Sequence, residues 1–318
     1  MKTLYLFGNG FDLAHGINTA YSSFRVFLSN NHEEFLTQFE RMYSIEPLDD
    51  SEPWYTAEAQ KRWEDRVLKD LWKSFEEEIG NPNVDEMLSM AEALTDGMPE
   101  DGIKDTLDAY WREQYGFSRS FQKYVLEWLE TVDTSAVSIK KKDLVGNKTD
   151  LFMNFNYTDI LERVYGIDNV LHIHGGIPSC TDIPPIMGHG NKKLITSYRE
   201  KAGAAQEVFI EWEESIYNAV ADYGQSLYKD TEKIILRNDS FFASLSDIDR
   251  VVCLGLSFGD VDVPYLKRIE KSVEPTTKWV VYYYNADSLA SLKHVFETIG
   301  ISPRYEVSFV PSDSFWDE

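Results

Sequence analysis

Four short segments of this 318-residue chain hold the residue types that nucleotide chemistry uses. Gly8-Asn9-Gly10-Phe11-Asp12 follows one apolar run, and Asn154-Phe155-Asn156-Tyr157-Thr158-Asp159 ends another. Leu171-His172-Ile173-His174-Gly175-Gly176 ends a third, and Gly255-Leu256-Ser257-Phe258-Gly259-Asp260-Val261-Asp262 follows a fourth. Glycines after a strand let the backbone approach a pyrophosphate, with N–H groups as donors. Gly8, Asn9, Gly10 and Asp12 are therefore candidate binding residues, and so are Gly255 and Ser257 in the fourth segment. The Asn156 amide both donates and accepts, so it can orient a ribose hydroxyl or a water. His174 suits proton transfer near neutral pH. Asn285, after a fifth run, can meet an adenine or ribose edge or simply make a turn.

Several of these residues have plainer readings. Thr158 and Asp159 read as a helix start, Thr158 as the cap and Asp159 complementing the dipole. One of Asp260 and Asp262 reads as the cap of the next helix. Alternation puts His172 and His174 on one strand face, with His172 deeper and structural. A metal site on that pair would have only His189 nearby to extend it, so no metal is expected. Leu13 stands where a third fingerprint glycine would fall, which disfavours a hydride-transferring dehydrogenase.

The elements that must position these residues are short, β-rich apolar runs: Thr3–Phe7, Asp150–Asn154, Val170–Ile173, Arg250–Leu256, Lys278–Tyr284 and Tyr305–Val310. Helical patterns follow at 158–165 and 287–298, so strands alternate with helices. That predicts an α/β fold, a Rossmann-like and mostly parallel sheet with both faces covered. Two stretches break the alternation and read as large helical insertions. The expected division is a core of 1–30, 146–195 and 247–318, with insertions at 31–145 and 196–246. Trp63, Val67, Leu68, Leu71 and Phe75 recur at helical spacing and read as packing of the first insertion.

Lysine and arginine total 31 against 54 aspartates and glutamates, a formal charge of −23. Such a field repels nucleic acid unless a basic patch overrides it, and Lys140, Lys141 and Lys142 read as a solvated turn. Cys180 and Cys253 cannot build a four-cysteine zinc site or a disulfide framework, and Cys253 reads as core. Neither a signal peptide nor a membrane span is expected, which places the protein in the cytoplasm.

In this order the four segments, with Gly16 and Tyr21-Ser22-Ser23-Phe24, resemble the AbiH-type bacteriophage abortive-infection family, and more widely the sirtuin-like NAD-binding superfamily. The resemblance implies that Gly8 and Gly10 bind NAD phosphates, that Asn156 faces the nicotinamide ribose and that His174 is catalytic. Gly255 to Ser257 and Asn285 would meet the adenosine half. Two cysteines cannot form the zinc ribbon of sirtuin deacylases, so no zinc is expected. Thr158 stands where many relatives carry an aspartate. The resemblance thus points to sirtuin-like antiphage domains that destroy NAD. The expected function is an NAD glycohydrolase held latent until a phage-derived trigger acts, with a homo-oligomer as a candidate assembly. The alternatives are a non-catalytic NAD or ADP-ribose sensor and a nucleic-acid-targeting effector.

Overall fold

The computed structural model describes residues 1–46, 48, 51, 55–97 and 103–317. Its strands form one six-stranded sheet, entirely parallel, in the order β3-β2-β1-β4-β5-β6. They are β1 (Thr3–Phe7), β2 (Leu151–Asn154), β3 (Val170–His172), β4 (Arg250–Leu254), β5 (Lys278–Tyr283) and β6 (Val307–Pro311). All six expected strands are present. The central strands β1 and β4 are buried on both faces, so they read as continuous apolar runs. Leu4, Leu6, Met153, Val251, Cys253 and Val281 face one core, with Tyr265, Phe296 and Trp279. Phe7, Phe152, Val252 and Leu254 face the other, with Phe11, Leu161 and Tyr165.

The register levels the strand ends. Phe7 stands beside Asn154 on one side and Leu254 on the other, and Asn154 stands beside His172. The first four segments therefore leave the sheet at one carboxyl edge. The strand order reverses between β1 and β4, the switch point where open α/β sheets bind ligands.

Contacts divide the chain into two compact units. The first is Met1–Ala20, Val125–Ile186 and Asp230–Glu318, and holds the sheet. The second is Tyr21–Tyr124 with Met187–Lys229 and is helical. These limits differ from those read off the sequence, because chain separation does not reveal that two helical segments pack as one body. Its core joins Phe24, Phe39, Trp72, Phe75 and Phe121, with Trp72 stacked on Phe75 at 4.5 Å. Val67, Leu71 and Phe75 of the expected stripe are buried there. Thr56, Asn83 and Asn191 start helices Ala57–Asp70, Val84–Thr95 and Lys192–Glu207 by accepting from first-turn N–H groups.

One expectation changes in the sheet unit. Lys141 is buried rather than solvated, with its ammonium 5.3 Å from the Phe315 ring. Asn285 sits in a capping box with Ser288, each side chain accepting from the other's backbone N–H. Among the described residues, no helix is long and apolar enough to cross a membrane.

Candidate functional site

The turns after β1 and β4 touch through their glycines. Gly8 N–H donates to Leu254 O and Gly10 N–H to Gly255 O, each at 3.0 Å. A Cβ on Gly10 would lie 2.5 Å from Gly255 Cα, so backbone meets backbone here. The first two donors expected to clamp a pyrophosphate are therefore spent within the protein. The glycines serve the close approach of two turns. Ser257 is exposed on the β4 turn, and Asn9 Oδ1 accepts from Thr19 Oγ1 at 2.6 Å.

Beside this contact lies a buried polar cluster. The Asn156 Nδ2 group donates to Gly8 O at 3.0 Å and to Asp12 Oδ1 at 2.8 Å. The Gly8 carbonyl can only accept, so the amide has one orientation, and its own carbonyl oxygen faces away from Gly8 O. Thr158 Oγ1 donates to Asp12 Oδ2 at 2.8 Å rather than capping a helix. Asp159 binds Thr134 and Ser179 hydroxyls through its two oxygens, each at 2.8 Å. It holds the loops together and makes no side-chain cap of helix Ile160–Arg163.

Burial raises the Asp12 carboxyl to about 7, against the lowering effect of hydrogen bonds from Thr158 and Asn156. The folded value lies above the ordinary 3.8, so between those pH values the folded protein holds a proton that the unfolded chain has released. Stability therefore falls as pH rises from about 4 to about 7, then levels off. Asp12→Asn, which keeps both hydrogen bonds, should remove that fall. Urea unfolding at pH 5 and pH 8 should show wild type losing about 2–3 kcal/mol relative to the variant. Parallel curves for the two proteins would contradict this assignment.

The two histidines part company. Strand β3 ends at His172, and the turn that follows breaks the alternation. His174 lies against Phe155 and Tyr265, ring centroids 5.3 Å away in each case. Its Nε2 stands 3.9 Å from Asp262 Oδ1, within ion-pair range. Asp262 occupies the N-cap position of helix Val263–Glu270 but makes no side-chain cap bond there. His172 lies with the other layer. Its Nε2 meets Glu162 Oε1 at 2.7 Å and its Nδ1 meets Asn156 O at 3.3 Å, with Cys180 Sγ 3.8 Å away. Burial would lower its pKa, but hydrogen bonds with Cys180 and Glu162 outweigh burial and raise it to about 10.

Glu162 and Cys180 were missed in the sequence, although they lie only 10 and 8 residues from His172. His189 belongs to the helical unit, where its Nε2–H donates to Gly224 O and its Nδ1 accepts from Asn191 N. Among the described residues, no group of three or more histidines, cysteines and acids is placed to hold a metal.

The helical unit has a cavity of about 490 Å³ lined in part by Trp111, Tyr115, Arg119, Arg199 and Tyr223. Two of its cations are already paired, Lys104 with Asp108 and Arg199 with Asp222.

Comparison with curated proteins and with solved structures gives no match. A family model described as bacteriophage abortive infection AbiH matches residues 4–283, a span that includes the β1, β2, β3 and β4 turns and ends just before Asn285. The chain thus belongs to the bacteriophage abortive infection AbiH family, which supports a role in abortive-infection defence against phage.

Proposed function

We propose that this protein binds NAD at the carboxyl edge of β1 and β4 and, once triggered, hydrolyses it to nicotinamide and ADP-ribose. One observation carries the reading: the strand order reverses where two glycine turns meet, and Asn156 lies beside that reversal. Dinucleotides bind such sheets at this point. The acidic protein would draw on local donors, the Ser257 hydroxyl and backbone groups other than those of Gly8 and Gly10.

In this reading Asp12 is a positioning residue. It takes the Asn156 NH₂ group, so the Asn156 carbonyl oxygen is left to accept from a ribose hydroxyl or the attacking water. His174 takes a proton from that water, and Asp262 balances the imidazolium that forms. The water oxygen bonds to the ribose anomeric carbon as the bond to nicotinamide breaks, through an oxocarbenium-like transition state. Nicotinamide leaves as a neutral base. Hydrogen bonds between such groups are often long before substrate arrives, so 3.9 Å between His174 and Asp262 is compatible with this role.

The test is to incubate purified protein with NAD and measure bound NAD, nicotinamide and ADP-ribose. Asn156→Ala and His174→Ala should each lower release by about 10²-fold or more. Binding without release, in protein exposed to phage components, would leave the sensor reading. Absence of both binding and release would overturn the proposal.

A further inference from the structure

We propose that Cys180, His172 and Glu162 form an activated-thiol site, in which Cys180 is the nucleophile and the electrophile is of the peroxide class. The site stands on its own geometry and does not depend on NAD binding.

Three elements build it. Glu162 lies on helix Ile160–Arg163, His172 ends β3, and Cys180 lies in the loop after it. His172 Nε2 meets the Glu162 carboxylate at 2.7 Å, so it carries a proton. Its Nδ1 faces Asn156 O, which only accepts, so it carries a proton as well. A ring that donates from both nitrogens is an imidazolium. Glu162 has no other assigned work: its Oε2 is buried and has no hydrogen-bond partner among the described residues. Cys180 Sγ, half-buried, is 3.8 Å from that cation. A neighbouring imidazolium favours thiolate, the reactive form of cysteine.

The other groups around the sulfur are two carbonyls and two carboxylates. Ile177 O at 3.2 Å and Tyr157 O at 3.8 Å accept from the thiol. Asp159 accepts from Ser179 beside it, and Asp12 acts on His172 from helix Asn9–Ala14. Cys253, by contrast, is deep in the sheet, and burial pushes its thiol up.

The surroundings select the chemistry. Acyl transfer needs N–H donors for an oxyanion, but the Cys180 and Thr181 N–H groups both donate to Ile177 O. Attack on a peroxide needs no such pair. The sulfur bonds to one peroxide oxygen as the O–O bond breaks, so sulfur is oxidised to a sulfenic acid and the peroxide is reduced. The departing hydroxide takes a proton from His172 or from water. Gly176 leaves the space: a Cβ there would lie 2.9 Å from the sulfur. Oxidation also alters the partners of His172 Nδ1, which faces the Asn156 carbonyl.

The experiment is alkylation of the full chain by iodoacetamide at pH 7, read at each cysteine by mass spectrometry beside free N-acetylcysteine. Cys180 should react faster than the free thiol, because the cation beside it favours the reactive form. It should also react about tenfold faster than in Glu162→Gln. Cys253 should stay unlabelled in both, which reports an intact fold. Hydrogen peroxide followed by dimedone should tag Cys180. Wild-type labelling of Cys180 no faster than the free thiol would overturn the proposal, whatever the variant does. Fast labelling unchanged in Glu162→Gln would overturn the role of Glu162, and absence of the dimedone tag would overturn the peroxide class.

Discussion

Gly255→Ala is expected to cost about 4 kcal/mol or more and to leave little folded protein under mild denaturing conditions. Gly255 has φ +73°, which L side chains adopt at a penalty of about 1–2 kcal/mol. Its Cβ would also lie 2.6 Å from Gly10 Cα and Phe11 N, and 2.7 Å from Gly10 N. Those atoms are backbone on the facing turn, so no rotamer change relieves them. The turn would have to part from β1, breaking the Gly10–Gly255 hydrogen bond at the switch point. Gly16→Ala is the matched control: φ is +78°, yet nothing lies within 4 Å of its Cβ. It should cost only the backbone penalty, about 1 kcal/mol. Urea unfolding of the two variants separates the effects. Equal losses would mean that the turns yield easily and that close approach does not explain the glycines.

Glu76→Leu in the helical unit should cost about 3–5 kcal/mol. Lys229 is fully buried, and its Nζ donates to Glu76 Oε1 at 2.9 Å. The same oxygen accepts from Gly188 N at 3.3 Å. Removing Glu76 strands an ammonium where water cannot reach it. Lys229→Met together with Glu76→Leu should recover much of the loss, because the buried charge leaves with its partner. A double-mutant cycle in urea reads this directly. A loss below about 1 kcal/mol for Glu76→Leu would show that Lys229 finds water or another acceptor.

Thr3–Phe7 coincides with β1, and the other five strands differ from expectation by a residue or two at their ends. Strands buried on two faces must be apolar throughout, and glycine or polar turns must end them, so both signals are local. Thr158 misled for the opposite reason. A threonine before a short helix looks like a cap, but its hydroxyl is taken by Asp12, 146 residues earlier. The pairing of His172 with His174 on one face misled because alternation holds only while a strand lasts, and β3 stops two residues before His174.

What the sequence determined by itself was therefore the set of strands, the parallel α/β class and the four segments at the strand ends. Periodicity, turn residues and burial on both faces are properties of neighbouring residues. Tertiary structure decided the strand order, the union of two distant helical segments in one unit, and the partner of each polar side chain. It spent the Gly8 and Gly10 N–H groups on the β4 turn, turned the Asn156 amide toward Asp12, and set Cys180 and Glu162 around His172. A buried polar atom must find a partner wherever the fold supplies one, and that partner is chosen by packing in space rather than by position along the chain.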